Sequence, residues 1–352
     1  MKLVDLRSDT VTKPSPEMWE LIKSMDNSQL GDDVIGEDPT VNELEAKAAT
    51  IMGKEAALLV TSGTQGNLVS LLSHTNPGNE ILLEEQCHIV GHEVGSAARI
   101  GGLMIRTYPS NKGIPSFDLL QELVRYKEDI HEPSTTLISA ENTHNFHGGV
   151  IIKPETLKNI SEFAQKNELR FHLDGARIFN AAVGLNIPVT DFTKHIDSVM
   201  FCLSKGLSCP IGSMVVGSKE FISKARKFRK MLGGGMRQAG IIASFGLVAL
   251  EPKWIKRLEE DHRNAKILAD GLKSLEAPIK INEPDTNIVI LEFLNKVRIF
   301  KIITELEKEG VLAFNINKEK IRFVTHYGIQ EDDIEYSIKK IGAILQKFNY
   351  SH

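Results

Sequence analysis

The chain is short of the features that announce special classes of protein. It has only three cysteines, Cys87, Cys202 and Cys209, and no CxxC pair. An odd number without paired spacing argues against a disulfide framework and against a zinc ribbon. It has no excess of one charge: the formal net charge is -4 over 352 residues. A nucleic-acid binder or a protein that coats anionic membranes needs a basic field, which this balance does not supply. It has no apolar run long enough to span a bilayer. The opening MKLVDLRSDTVTKP carries charges among its first residues and lacks the apolar segment of a secretory signal. Neither a nucleic-acid partner nor a membrane is expected, and a cytoplasmic location is the simplest reading.

What is present fits an enzyme-sized α/β chain. Apolar residues make up 41% and charged residues 25%, an ordinary globular mixture. The length suggests about two units. From Pro14 to about Lys230, short apolar runs alternate with helical periods. Ala56–Val60, Leu169–Leu173 and Ser198–Leu203 read as buried strands; 41–52 and 154–166 read as helices. Such alternation predicts a mostly parallel sheet covered by helices. Ligands bind such sheets outside the carboxyl ends of the strands. After Gly233–Gly235 the pattern changes. A long helical stretch, 241–275, is followed by strand-like runs at 287–292 and 321–325 and a last helix from about Asp332. We expect a large domain over 1–247, including an N-terminal arm, and a smaller C-terminal α+β domain over 248–352.

Four segments carry candidate chemistry. In FCLSKGLS, Lys205 ends an apolar strand and precedes Gly206. A desolvated lysine amine is a Schiff-base nucleophile. Alone, it reads first as a solvated turn residue, as most lysines are. In FHLDGARIF, Asp174 ends another strand. It either holds a cationic ring nitrogen or caps the helix that starts near Ala176. In TSGTQGN, Gly63 and Gly66 open a helix whose N-terminus suits a phosphate, although a tight strand–helix turn explains them equally well. His88 and His92 stand four apart in HIVGH. The glutamate of the HExxH zinc motif is missing, so no metal is expected. Together they are the parts that pyridoxal 5′-phosphate (PLP) requires: an anion cradle, a histidine to face the ring, an acid and an imine-forming lysine.

At this point the chain resembles a known family. LRSDTVTKP, GDDVIGEDPTVNELE, SGTQGNLVSLLSHTNPG, ENTHN, HLDGARIFNA, SKGLSCPIGS, GGGMRQAG and RFVTH occur in the order found in the low-specificity L-threonine aldolases. These are PLP enzymes of fold type I, in the group that also contains aromatic amino acid β-eliminating lyases. The resemblance implies that Lys205 carries PLP, Asp174 pairs with its ring nitrogen and His88 stacks on its ring. It implies a phosphate cradle at Ser62, Gly63 and Thr64, helped by Arg237 of a neighbouring subunit. Ser8, Arg177 and Arg322 would hold the carboxylate of an amino-acid substrate, with His92 nearby. A homotetramer built from two dimers is implied as well. The implied reaction cleaves L-threonine or L-allo-threonine to glycine and acetaldehyde. The related possibilities are a PLP β-eliminating lyase and a phenylserine or serine aldolase. Two positions depart from the family: Ile35 stands where a tyrosine is usual, and Val90-Gly91-His92 replaces a run that is usually aromatic.

Overall fold

A computed structural model describes residues 2–126 and 129–349. In chain order the strands are β1 (Val4–Asp5), β2 (Ala56–Val60), β3 (Glu80–Glu84), β4 (Met104–Tyr108), the hairpin pair β5 (Ser110–Asn111) and β6 (Ile114–Pro115), β7 (Thr135–Glu141), β8 (Arg170–Asp174), β9 (Ser198–Cys202), β10 (Ser213–Gly217), β11 (Ile279–Ile281), β12 (Ile288–Phe293), β13 (Val311–Leu312), β14 (Phe314–Asn315) and β15 (Lys320–Val324).

The larger sheet has seven strands in the order β2-β10-β9-β8-β7-β3-β4. β9, β8, β7, β3 and β4 pair in parallel; β10 runs antiparallel to both of its neighbours. Every residue of β3 and β9 is buried, as expected of parallel strands covered on both faces. The covering helices start where their sequences say they should. Asp38 accepts from the Thr40 and Val41 N–H groups at the start of the helix Pro39–Met52, with Pro39 in its first turn. Ser62 caps the helix Gly63–His74 by accepting from the Gln65 N–H at 3.2 Å.

The second sheet is four-stranded, antiparallel and ordered β11-β12-β15-β14. It has its own core, in which Leu268, Leu272, Val289, Leu291, Ile302 and Phe323 are buried. The long helical stretch of the sequence resolves into Gly240–Ala249, Pro252–Lys256 and Leu258–Lys273. Pro252 starts the middle piece, where its missing N–H costs nothing. The last of the three helices passes from one core to the other: Leu258 packs in the first, Leu268 and Leu272 in the second. The N-terminal arm makes the same crossing. β1 pairs in parallel with β13, and Val4 and Leu6 are buried in the second core. Among the described residues no helix is long and apolar enough to cross a membrane.

Candidate active site

A cavity of about 310 Å³ opens where the carboxyl ends of β7, β8 and β9 meet the second sheet. Its walls include Ser8, His88, His92, Asp174, Arg177, Lys205 and Arg322. The structure thus brings these seven sequence-predicted residues together. Ser62, Gly63, Thr64 and Arg237 do not line it. The first three form the start of the helix Gly63–His74, one turn before Asn67, whose side chain does reach the site. Arg237 is exposed and pairs with Asp32 at 2.5 Å. Ile35 is likewise exposed and away from the cavity.

Asp174 and Lys205 come from neighbouring strands. Asp174 ends β8, and Gly175 continues the chain against β9 through an N–H to the Met200 carbonyl, 2.8 Å. A Cβ on Gly175 would lie 2.9 Å from that same carbonyl oxygen, so the close approach requires glycine. Asp174 is buried. One of its oxygens accepts from the Ala176 N–H at 3.1 Å, the other from Asn67 Nδ2 at 2.9 Å. The Asn67 amide is fixed from behind: its oxygen lies 3.1 Å from His172 Nε2, and His172 Nδ1 lies 2.9 Å from Ser198 Oγ. Burial pushes His172 down to about 4, so its ring is neutral and this chain adds no charge behind Asp174.

His88 follows β3 on a single helical turn. Its backbone N–H donates to Glu141 at 2.6 Å, and its Nδ1 lies 2.9 Å from Glu93. Burial opposes protonation of this ring, but the Glu93 hydrogen bond and the Asp174 charge outweigh it, and the net shift is upward. His92 shifts the other way, through burial and then the neighbouring His88. Its ring stacks on Phe146 with centroids 4.7 Å apart and 14° between planes. That phenylalanine supplies an aromatic wall in a site that lacks the usual aromatics near position 90.

The two arginines are held differently. Arg177 is buried and forms a fork with Asp9, Nε and a terminal nitrogen each donating at 2.7 Å. Arg322, on β15, has no acidic partner among the described residues. It donates to the Asn145 side-chain oxygen at 2.7 Å and to the Arg7 carbonyl at 3.2 Å, and its buried Nε has no partner. Arg177 also reaches Asn145, at 3.3 Å. Burial and the Arg177 charge pull Arg322 down to about 10. Two guanidinium groups that share one neutral amide, with a single carboxylate between them, leave a place that favours an anion.

Asp9 holds this arrangement together. Burial would raise its carboxyl group, but the Arg177 charge and hydrogen bonds drive it far below the carboxylate range. The pair's contribution is therefore complete above the unfolded carboxylate range near pH 4 and is lost as pH falls further. Asp9→Asn should cost about 3–5 kcal/mol by leaving Arg177 charged and unpaired. We expect a clear drop in melting temperature at pH 7, narrowing as the pH is lowered toward 3. An unchanged melting temperature would mean that water replaces the lost partner.

Sequence reading had missed Asp9, Asn67, Glu93, Asn145 and Phe146. Only Asn67 left a local signal: it stands four residues after Gly63, on the same helical face.

The sequence profile of the beta-eliminating lyase family matches residues 5–295. A low-specificity L-threonine aldolase of Arabidopsis thaliana is 41% identical over 345 residues, covering 96% of this chain and 95% of the relative. The low specificity L-threonine aldolase of Escherichia coli K12 is 40% identical over 334 residues, covering 94% and 96%. The solved Leishmania major threonine aldolase shares the fold, with a TM-score of 0.85 at 18% identity over 97% of this chain and 99% of that one. A profile match of this extent, with relatives this similar along nearly their whole length, makes the chain a member of the beta-eliminating lyase family.

Proposed function

We propose that the protein is a PLP-dependent aldolase that cleaves L-threonine, L-allo-threonine and related β-hydroxy-α-amino acids to glycine and an aldehyde. The observation that carries this reading is the meeting of Lys205, Asp174, His88 and an acid-free Arg322 in one cavity. The donor set fits the cofactor: a primary amine, a buried carboxylate at the cavity floor, a flat imidazole and a capped helix N-terminus beside them. When bound, PLP supplies the electron sink that carbon–carbon cleavage requires.

The chain's own residues do the rest. Lys205 offers the amine for covalent attachment. Asp174, kept in place by Asn67, would hold the cofactor's ring nitrogen protonated. His88, held by Glu93, would stack on the cofactor ring. Ser62, Gly63 and Thr64, at the start of the helix Gly63–His74, would offer N–H and hydroxyl groups to the cofactor's phosphate, with Arg237 of a neighbouring subunit helping. Arg322, Arg177 and Ser8 bind the substrate carboxylate and thereby set the direction of its Cα–Cβ bond. His92 takes the β-hydroxyl proton. It suits that role better than His88, because burial and the neighbouring His88 shift it downward, toward the form that can accept a proton, whereas His88 is committed to Glu93.

Product analysis tests the reading. L-threonine and L-allo-threonine should give glycine and acetaldehyde in equal amounts. A keto acid such as pyruvate from a β-substituted substrate, without aldehyde, would instead mark a β-eliminating lyase. Phe146 and Phe314 on the cavity wall make phenylserine a third substrate to try, with benzaldehyde as its product.

Arg322→Ala should raise KM by roughly ten- to a hundred-fold, the loss of a charged hydrogen bond worth about 1.5–3 kcal/mol. It should also lower kcat, since the clamp orients the bond that breaks. If the melting temperature falls while KM stays constant, Arg322 serves the fold alone.

We also propose a cytoplasmic homotetramer made of two dimers. Arg237 can complete a site only across a subunit boundary, since it stands outside its own chain's cavity. Light scattering should give four chains per particle; an active monomer would refute the assembly.

A further inference from the structure

A second group of ligand-type side chains lies behind the cavity wall, and the proposed reaction uses none of them. Glu84 ends β3. His144 and His147 sit three residues apart on the loop that follows β7. His144 Nε2 lies 3.0 Å from one Glu84 oxygen, and His147 Nε2 lies 3.4 Å from the other. Ser110 Oγ is 2.9 Å from Glu84 and 3.5 Å from His147 Nε2. One ligand atom from each of Glu84, His144 and His147 falls within 4.8 Å of the other two.

We propose that Glu84, His144 and His147 form a binding site for a divalent first-row metal ion of the zinc type, with Ser110 or a water as fourth ligand. Two imidazoles and a carboxylate are the ligand chemistry that such ions select. Tetrahedral bonds of about 2.0–2.2 Å place ligand atoms about 3.3–3.6 Å apart. The two histidine–carboxylate contacts, 3.0 and 3.4 Å, lie near that value, each to a different Glu84 oxygen. One ligand atom from each residue already lies within 4.8 Å of the others, so an ion has only to draw the three together by about an ångström.

The surroundings support a site built in advance. The side chains of Glu84 and His144 are 1% and 0% exposed, whereas that of His147 is 17% exposed and leaves a way in. His144 Nδ1 is buried without a partner, so the ring is held from its Nε2 side alone, the side that faces the other ligands. The loop backbone is pinned by His144 N–H to the Val150 carbonyl at 3.1 Å and Gly149 N–H to the His144 carbonyl at 2.9 Å. Gly149 has a φ of +69°, and a Cβ there would come within 2.6 Å of Thr286 Oγ1. The turn that presents both imidazoles therefore depends on glycine.

The same loop carries Asn145 and Phe146 between the two histidines. Asn145 joins the two arginines, and Phe146 stacks on His92. An ion held by the residues on either side would fix that stretch of cavity wall. Its role would be positional, with no contact to substrate. The metal proposal itself does not depend on which reaction the cavity catalyses.

The test uses untagged holoenzyme, stripped with a chelator and then equilibrated with Zn2+ alone or titrated with Co2+. Holoenzyme is used because His88, Glu93 and Asp174 form a second cluster that could hold an ion, and cofactor bound against His88 and Asp174 would compete with an ion there. We expect one Zn2+ per chain by elemental analysis, and visible ligand-field bands with Co2+ that Zn2+ displaces. His147→Gln should weaken binding at least tenfold without lowering the melting temperature of the metal-free holoenzyme. Failure of native holoenzyme to bind a stoichiometric ion would overturn the proposal. So would equal affinity in the native protein and a folded His147→Gln variant.

Discussion

Lys205→Ala should abolish turnover and leave the melting temperature near that of the parent. The two effects separate because the lysine's contacts separate. Its side chain donates no hydrogen bond and forms no ion pair among the described residues. Its carbonyl does the structural work, accepting from Thr12 Oγ1 at 2.9 Å and from the Ser208 N–H at 2.8 Å. Truncation removes the amine and keeps those bonds. We expect a loss of at least about four orders of magnitude, roughly 5.5 kcal/mol of barrier. The near-visible absorbance of covalently held PLP should vanish as well. Lys205→Arg should fail similarly, because a guanidinium keeps the charge but stays protonated and cannot attack a carbonyl. Covalent absorbance persisting in the alanine variant would rule out Lys205 as the attachment point.

The second large effect is expected at Asp174. Asp174→Asn should retain the cofactor and lose at least about two orders of magnitude in rate, roughly 2.7 kcal/mol. A neutral amide cannot keep the ring nitrogen protonated. The competing reading, a helix cap, is displaced by the structure, where the helix starts at Ile178 with Arg177 at its cap; what remains is a turn bond, Ala176 donating to one Asp174 oxygen. An asparagine side-chain oxygen can preserve that bond, so the substitution spares the turn and removes the charge. A loss smaller than tenfold, about 1.4 kcal/mol, would leave Asp174 as a turn cap and nothing more. The bond from Asn67 is lost, because two amide nitrogens would face each other, so some fall in melting temperature is expected in either case and rate is the deciding measurement.

Much of this architecture was legible because parallel strands buried on both faces leave short apolar runs with punctuation at their ends. Asp174 and Lys205 stood out as polar residues that end such runs. Strand direction was not legible: Ser213–Gly217 reads as a strand, yet nothing in five apolar or small residues tells that it runs against its neighbours. Register was equally hidden. Pairing of Arg322 with Glu292 is a natural guess from two strand-like segments. In the sheet, Glu292 lies opposite Lys320, and Arg322 lies opposite Ile290, which leaves the guanidinium free of acid. Asp9, Glu93 and Asn145 escaped because each is defined by a partner elsewhere. Asp9 is a surface-like residue in an N-terminal SDT segment until Arg177 meets it. The metal-type cluster is the same case, since Glu84 and the two histidines are about sixty residues apart in the chain.

The crossing of the N-terminal arm has a consequence for synthesis. Val4 pairs with Val311 and Asp5 with Leu312, and the Leu6 N–H donates to the Leu312 carbonyl, so the first segment made must wait for one of the last. At ~5–20 residues per second, that wait is about 15–60 s. During it Val4 and Leu6 have no core to enter, and Ser8, Asp9 and Thr10 have no fixed place. The large sheet can form meanwhile, because its strand pairs close within the first 217 residues. The cavity is thus completed late, by a segment threaded into a molecule already mostly built. A bulky fusion at the N-terminus would burden that step, whereas one at the C-terminus would leave it free.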